Sequence, residues 1–198
     1  MPHQPKAHAM RTLEEEIIAH NITPELAQQA TQLVIGDGNL DADIVFIGEA
    51  PGKKEDLEGL PFIGAAGKFL NEMLEAAGMT RSDVYITNIV KYRPPNNRDP
   101  SKEEKAAFWP YLLKQLQIID PKVVITLGRH SMEYFLPDMK IAEVHGQPKR
   151  IAFGDHKIVI MPLYHPAAAL YNGSMRQTLI DDFLKVPIVI TELDDEEE

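Results

Sequence analysis

Apolar positions along the chain fall into two patterns. Short, mostly apolar runs occur at residues 44–47, 84–90, 123–127 and 158–161. Runs of this length, bounded by turn residues, suit strands covered on both faces. Between them, helical patterns run over 66–77, 102–119, 129–135 and 175–186. Upstream, residues 11–20 are polar and helix-prone. Thr23-Pro24-Glu25 reads as a helix start, with Thr as N-cap, Pro at the first helical position and an acid in the first turn. Gly36-Asp37-Gly38-Asn39 is a turn cluster. Strands alternating with helices predict an α/β fold, a three-layer α/β/α sandwich around a central four-stranded parallel sheet. Residues 141–152 fit either a short hairpin or a loop.

The chain has 198 residues, enough for one domain with a sizeable core. There is no repeat and no internal linker. The expected organisation is a flexible N-terminal arm at 1–10, with Met10 as an alternative start, one domain over 11–190, and a disordered acidic tail at 191–198. No apolar run approaches the roughly 18–20 residues of a membrane helix, and the N-terminus has no signal-peptide core. A cytoplasmic monomer with no membrane partner is expected.

Charge changes this picture little. The formal net charge is −10, but Glu192, Asp194, Asp195, Glu196, Glu197 and Glu198 account for six acids, leaving about −10 + 6 = −4. That argues against a simple electrostatic coat for DNA and leaves room for a local basic groove. Cysteine is absent, which excludes disulfides, thiol nucleophiles and Cys-ligated zinc or iron–sulphur sites.

The carboxyl ends of the four predicted strands carry the candidate chemistry, where open α/β sheets bind ligands. Gly48-Glu49-Ala50-Pro51-Gly52 is a rigid turn that lets backbone N–H groups approach a ligand. It also reads as a plain turn, with Glu49 a solvated acid. Phe62 lies in Leu60-Pro61-Phe62-Ile63-Gly64 and either packs in the core or stacks on a planar base. Asn88 ends a strand and either ties down a loop or matches a nucleobase edge. Lys91, Arg93 and Arg98 project from a proline-stiffened run, either solvated or on phosphates. His165-Pro166-Ala167-Ala168 follows the fourth strand, and Asn172-Gly173-Ser174-Met175-Arg176 then turns with one cation.

Taken in order, these segments resemble the uracil-DNA glycosylase superfamily, most of all its iron–sulphur, thermophile-type branch, numbered four. The resemblance runs from about Gly36 to about Val186. It includes Glu55-Asp56, Gly59-Leu60, Ala66-Gly67, Thr87-Asn88-Ile89-Val90-Lys91, Arg93-Pro94-Pro95, Asn97-Arg98 and Gly128-Arg129. The resemblance implies hydrolysis of the N-glycosidic bond of uracil in DNA by base flipping, leaving an abasic site. Glu49 and His165 would be catalytic, the acid holding the attacking water and the imidazole donating toward the departing base. Gly48, Ala50, Pro51, Gly52, Phe62 and Asn88 would form the base pocket. Lys91, Arg93, Arg98, Arg129 and Arg176 would touch DNA. Two other readings stand beside it: a non-catalytic DNA-lesion binder on the same fold, and a glycosylase for another deaminated base.

One departure is plain. The branch holds a cluster with four cysteines, and here those positions align with about Asn21, Pro24, Tyr92 and Phe108. No cofactor and no metal are expected. Tyr92, Phe108 and Trp109, with apolar residues of the N-terminal helix, are expected to fill the vacated space.

Overall fold

In the strands of the central sheet, alternate residues face opposite ways, and both faces are apolar. In β2 (Ile44–Gly48), Val45 and Ile47 enter one core while Ile44 and Phe46 enter the other. The structure is a computed structural model that describes residues 3–197. The chain runs α1 (His3–His20), α2 (Pro24–Gln29), β1 (Asp37–Gly38), β2, α3 (Lys53–Glu58), α4 (Ala65–Ala76) and β3 (Tyr85–Asn88). A 3-10 turn at Pro95–Asn97 leads into α5 (Lys102–Ile119), β4 (Val123–Leu127), α6 (Arg129–Met132), α7 (Ile141–Val144) and β5 (Lys149–Phe153). Then come β6 (His156–Leu163), α8 (Pro166–Ala169), α9 (Gly173–Phe183) and α10 (Val186–Glu197).

The sheet order is β1-β3-β2-β4-β6-β5. The four central strands are parallel, as the apolar runs predict, and each edge carries one antiparallel strand. Helices α1, α2 and α5 cover one face, and α4, α9 and α10 the other. This is the expected α/β/α sandwich. Phe46 stacks on Phe183 of α9 with centroids 5.4 Å apart. Burying one such ring contributes about 1.5–3 kcal/mol.

The edges and ends differ from expectation. Residues 141–152 hold a helical turn and most of a strand. The turn cluster at 36–39 contains β1, which pairs Asp37 with Ile86 and Gly38 with Tyr85, and Asn39 N–H donates to the Val84 carbonyl at 2.9 Å. Residues 3–10, expected as a loose arm, are the first turns of α1. Met10 is buried, and Lys6 donates to the carbonyls of Leu40 and Ile119, so packing orders a segment without strong helical periodicity. Residues 191–197 continue α10 rather than forming a disordered tail, with Lys122 paired to Asp194 at 2.5 Å. Residues 1, 2 and 198 of those two segments lie outside the described residues. Thr23 precedes α2 as predicted, but its hydroxyl makes no cap hydrogen bond. Among the described residues, no helix is long and apolar enough to cross a membrane.

Candidate active site

Parallel register sets the site. Gly48 pairs with Asn88 and Leu127 with Leu163, so the segments after all four central strands open on one edge. A cleft of about 720 Å³ lies there, lined by Glu49, Phe62, Asn88 and His165 among others. Ala50, Pro51, Gly52 and Arg98 line it as well. Gly48 lies against two of the lining residues, Asn88 and Phe62. A Cβ at Gly48 would meet Asn88 Oδ1 at 2.4 Å and Phe62 Cζ at 2.5 Å, so only glycine leaves both groups in place. Asn88 is 2% exposed, and its Oδ1 is buried without a hydrogen-bond partner. An orphan acceptor of this kind costs about 1–3 kcal/mol unless a ligand supplies a donor.

Phe62 is held in place through its backbone and that of its neighbours. Its φ is +50°, which a bulky side chain adopts only when its surroundings impose it. Arg81 donates to the carbonyls of Phe62 at 2.9 Å and Pro61 at 2.7 Å. Glu55 Oε1 accepts from Ile63 and Gly64 N–H. Gly67 lets α4 press on the loop, since a Cβ there would fall 1.8 Å from the Phe62 carbonyl oxygen. The ring lies 5.6 Å from that of His165 at an interplanar angle of 28°.

His165 starts α8, and its Nδ1 accepts from Ala167 N–H at 3.0 Å. The remaining ring proton is therefore on Nε2. Burial first, and the nearby His130 second, pull its pKa down to about 4. The imidazole is neutral near pH 7 and offers one N–H. Glu49 moves the other way. Burial, then the charge of Asp99 and a hydrogen bond with it, raise its carboxyl to about 7 against the opposing pull of Lys105 and Arg129. His130 Nε2 stands 3.8 Å from Glu49 and 3.6 Å from Asp99. These three side chains have ligand atoms within 4.8 Å of one another, the spacing of a possible metal site.

The cations divide. Lys91, read from the sequence as a phosphate contact, is fully buried. Its Nζ donates to Thr87 Oγ1 at 2.6 Å, Asn88 O at 2.7 Å and Gln115 Oε1 at 2.7 Å, so it cannot reach DNA. It braces the strand end that carries Asn88. Arg98 reaches the cleft but forks onto Glu104 at 2.9 and 2.7 Å. Arg93 donates to Asn97 Oδ1 at 2.6 Å. Arg176 pairs with Glu72 at 2.8 Å and lies 4.1 Å over the Phe69 ring, outside the cleft lining. Arg129 is exposed at the start of α6.

Sequence reading missed Asp99, Lys105 and His130, which meet only through folding, and the exposed Lys53 and Lys54 on the cleft rim. The last pair had a signal: both open the helix directly after Gly52.

Two of the positions aligned with the expected cluster cysteines carry packed rings. Tyr92 and Phe108 meet edge to face at 6.0 Å. Met10, Leu13, Ile17 and Leu26 join them in one core, and Trp109 packs against it while contacting Tyr134 at 4.9 Å and Phe135 at 5.0 Å. With no thiolate anywhere in the chain and rings at two aligned positions, these residues do not fit an iron–sulphur cluster.

A sequence profile of the uracil DNA glycosylase superfamily matches residues 35–186. The type-4 uracil-DNA glycosylase of Sulfurisphaera tokodaii is 46% identical over 184 residues, covering 90% of this chain and 83% of that protein. That of Saccharolobus solfataricus is 50% identical over 159 residues, covering 77% and 74%. The enzyme of the same name from Archaeoglobus fulgidus is 46% identical over 167 residues, covering 82% and 84%. Profile, relatives and the strand-end cleft agree: the chain belongs to the uracil-DNA glycosylase superfamily.

Proposed function

We propose that this protein is a monofunctional uracil-DNA glycosylase, taking uracil-containing DNA as substrate and acting without a metal or cluster. The buried, unpartnered Oδ1 of Asn88 carries the reading. Uracil has a donor at N3 and an acceptor at O4, which match the amide oxygen and amide N–H groups of Asn88. Cytosine has neither in those places. Phe62 would stack on the flipped base, and the turn from Gly48 to Gly52 would surround it. Flipping costs a few kcal/mol, met by contacts to the extruded base.

The chemistry then needs a donor for the leaving group and an acceptor for a proton. The N1–C1′ bond breaks, and the base leaves as an anion that takes a hydrogen bond from His165 Nε2–H. Water adds to C1′ of the oxocarbenium-like sugar and loses its proton to Glu49. A carboxyl near 7 suits that task at neutral pH. Lys53, Lys54, Arg93 and Arg129 are the cations this reading assigns to phosphates, while Tyr171, which is 92% exposed in the turn after α8, faces the DNA. Every group required comes from one chain, so the reading includes a monomer, with 11–190 acting as one unit.

Oligonucleotides bearing one uracil, single- or double-stranded, test this by strand scission after alkali. Scission is expected, and His165→Ala should lower its rate about 10²–10³-fold, the effect of losing one preorganised donor. Binding without scission of any deaminated base would instead favour a lesion-binding protein.

A further inference from the structure

Four charged or titratable side chains face Glu49. Asp99 comes from the loop before α5, Lys105 from α5, and Arg129 and His130 from α6. Glu133 stands behind Lys105, and His165 lies beyond His130. The oxygens of Glu49 and Asp99 and the Nε2 of His130 converge within 4.8 Å. The tautomer of His130 decides what such a cluster can hold. Lys105 lies 3.2 Å from His130 Nδ1 and is ion-paired with Glu133, so it is an ammonium with donors only. Nδ1 must accept, and the ring proton must sit on Nε2. A protonated Nε2 has no lone pair for a metal, and its N–H faces Asp99 at 3.6 Å and Glu49 at 3.8 Å, near both carboxylates without a direct hydrogen bond.

We infer that Asp99 shares the proton of Glu49 and so sets its protonation, while His130, its tautomer fixed by Lys105, turns its Nε2–H toward both carboxylates and positions them. The inference rests on Glu49 being the group that takes the proton from water. Asp99 is 69% exposed, whereas Glu49 is 24% exposed. The proton leaving water is taken by Glu49, passes to Asp99 across their hydrogen bond, and is released to solvent. No other bond is made or broken. Asp99 and His130 are thus positioning residues that act through Glu49.

Two readouts on the full chain test this. One is the pH dependence of single-turnover uracil release from pH 5 to 9. The other is the carboxyl ¹³C titration of Glu49, assigned by its loss in Glu49→Gln. Asp99→Asn removes a like charge, so both midpoints should fall by about one unit. The ratio of the rate at pH 6 to that at pH 8.5 should then rise roughly fivefold. His130→Phe removes a polar N–H that faces both carboxylates, so both midpoints should rise. An unmoved Glu49 titration in Asp99→Asn overturns the inference, as does a uniform loss of rate with no shift in either midpoint. A shifted titration with an unmoved rate profile would support the pair and instead refute Glu49 as the proton acceptor.

Discussion

At the scale of single residues, the site depends on groups that are small or missing. Gly48 is the clearest. Its backbone does not require glycine, but its missing Cβ leaves room for Asn88 Oδ1 and the Phe62 ring. Gly48→Ala should therefore fold and yet lose about 100-fold in kcat/KM, because displacement by about 1 Å at a reacting centre has that effect. Thermal melting beside uracil-release kinetics checks both halves. Glu49 gives a prediction of opposite sign for stability. Its carboxyl titrates near 7 in the fold against an ordinary value of 4.5. Between those values the folded protein keeps a proton that the unfolded chain releases, so stability falls as pH rises through this window. Glu49→Gln should then be more stable than the parent by about 1–2 kcal/mol at pH 8, after allowing for partial solvent screening. The advantage should vanish below pH 4.5, as urea unfolding at pH 8 and pH 4 would reveal.

At the scale of elements, the end of β3 explains why one cation differs from the rest. Thr87 gives its hydroxyl proton to Ile35 O, and Gln115 spends its amide N–H groups on Ile35 O and Tyr85 Oη. All three partners of Lys91 are thus acceptors, which matches the three N–H groups of an ammonium. Lys91→Met would orphan them and should destabilise the fold by about 1–3 kcal/mol while leaving the salt dependence of DNA binding intact. Lys53→Ala should do the reverse, with a log–log salt slope smaller by about one and stability unchanged. Titrations of binding against salt, with melting curves of both variants, separate the two roles. On the same face, α1, α2 and α5 meet around Tyr92 and Phe108. Aromatic burial there amounts to about 150–250 Å² per ring.

At the scale of the whole molecule, the question is how a chain of net charge −10 approaches a polyanion. Its acidic C-terminal helix sits at the far end of the sheet. Leu193 and Asp194 lie beside Asp43, Asp120 and Lys122, at the amino ends of β2 and β4, while the cleft opens at the carboxyl ends. A five-residue strand spans roughly 17 Å, about twice the Debye length at 0.15 M salt. Neutralising Glu192, Asp194 and Asp195 to their amides should therefore leave uracil release at 0.15 M salt unchanged. A rise of severalfold would mean that the tail's field reaches the cleft.

Much of this was legible in the chain itself. Four apolar runs separated by helical patterns determine a covered parallel sheet, because strands buried on both faces must be apolar throughout. The Gly48–Gly52 turn, Phe62, Asn88 and the His165 segment determine the pocket, since turn glycines, a ring, an amide and an imidazole keep their chemistry wherever the fold carries them. The absence of cysteine determines that no thiolate holds a cluster. Tertiary structure decided what depends on neighbours distant in sequence. It buried Lys91 and placed residues 3–10 and 191–197 in helices. It also gathered Asp99, Lys105 and His130 around Glu49. Burial, tautomer and pKa belong to an environment rather than to a residue type, and that environment exists only once the chain has folded.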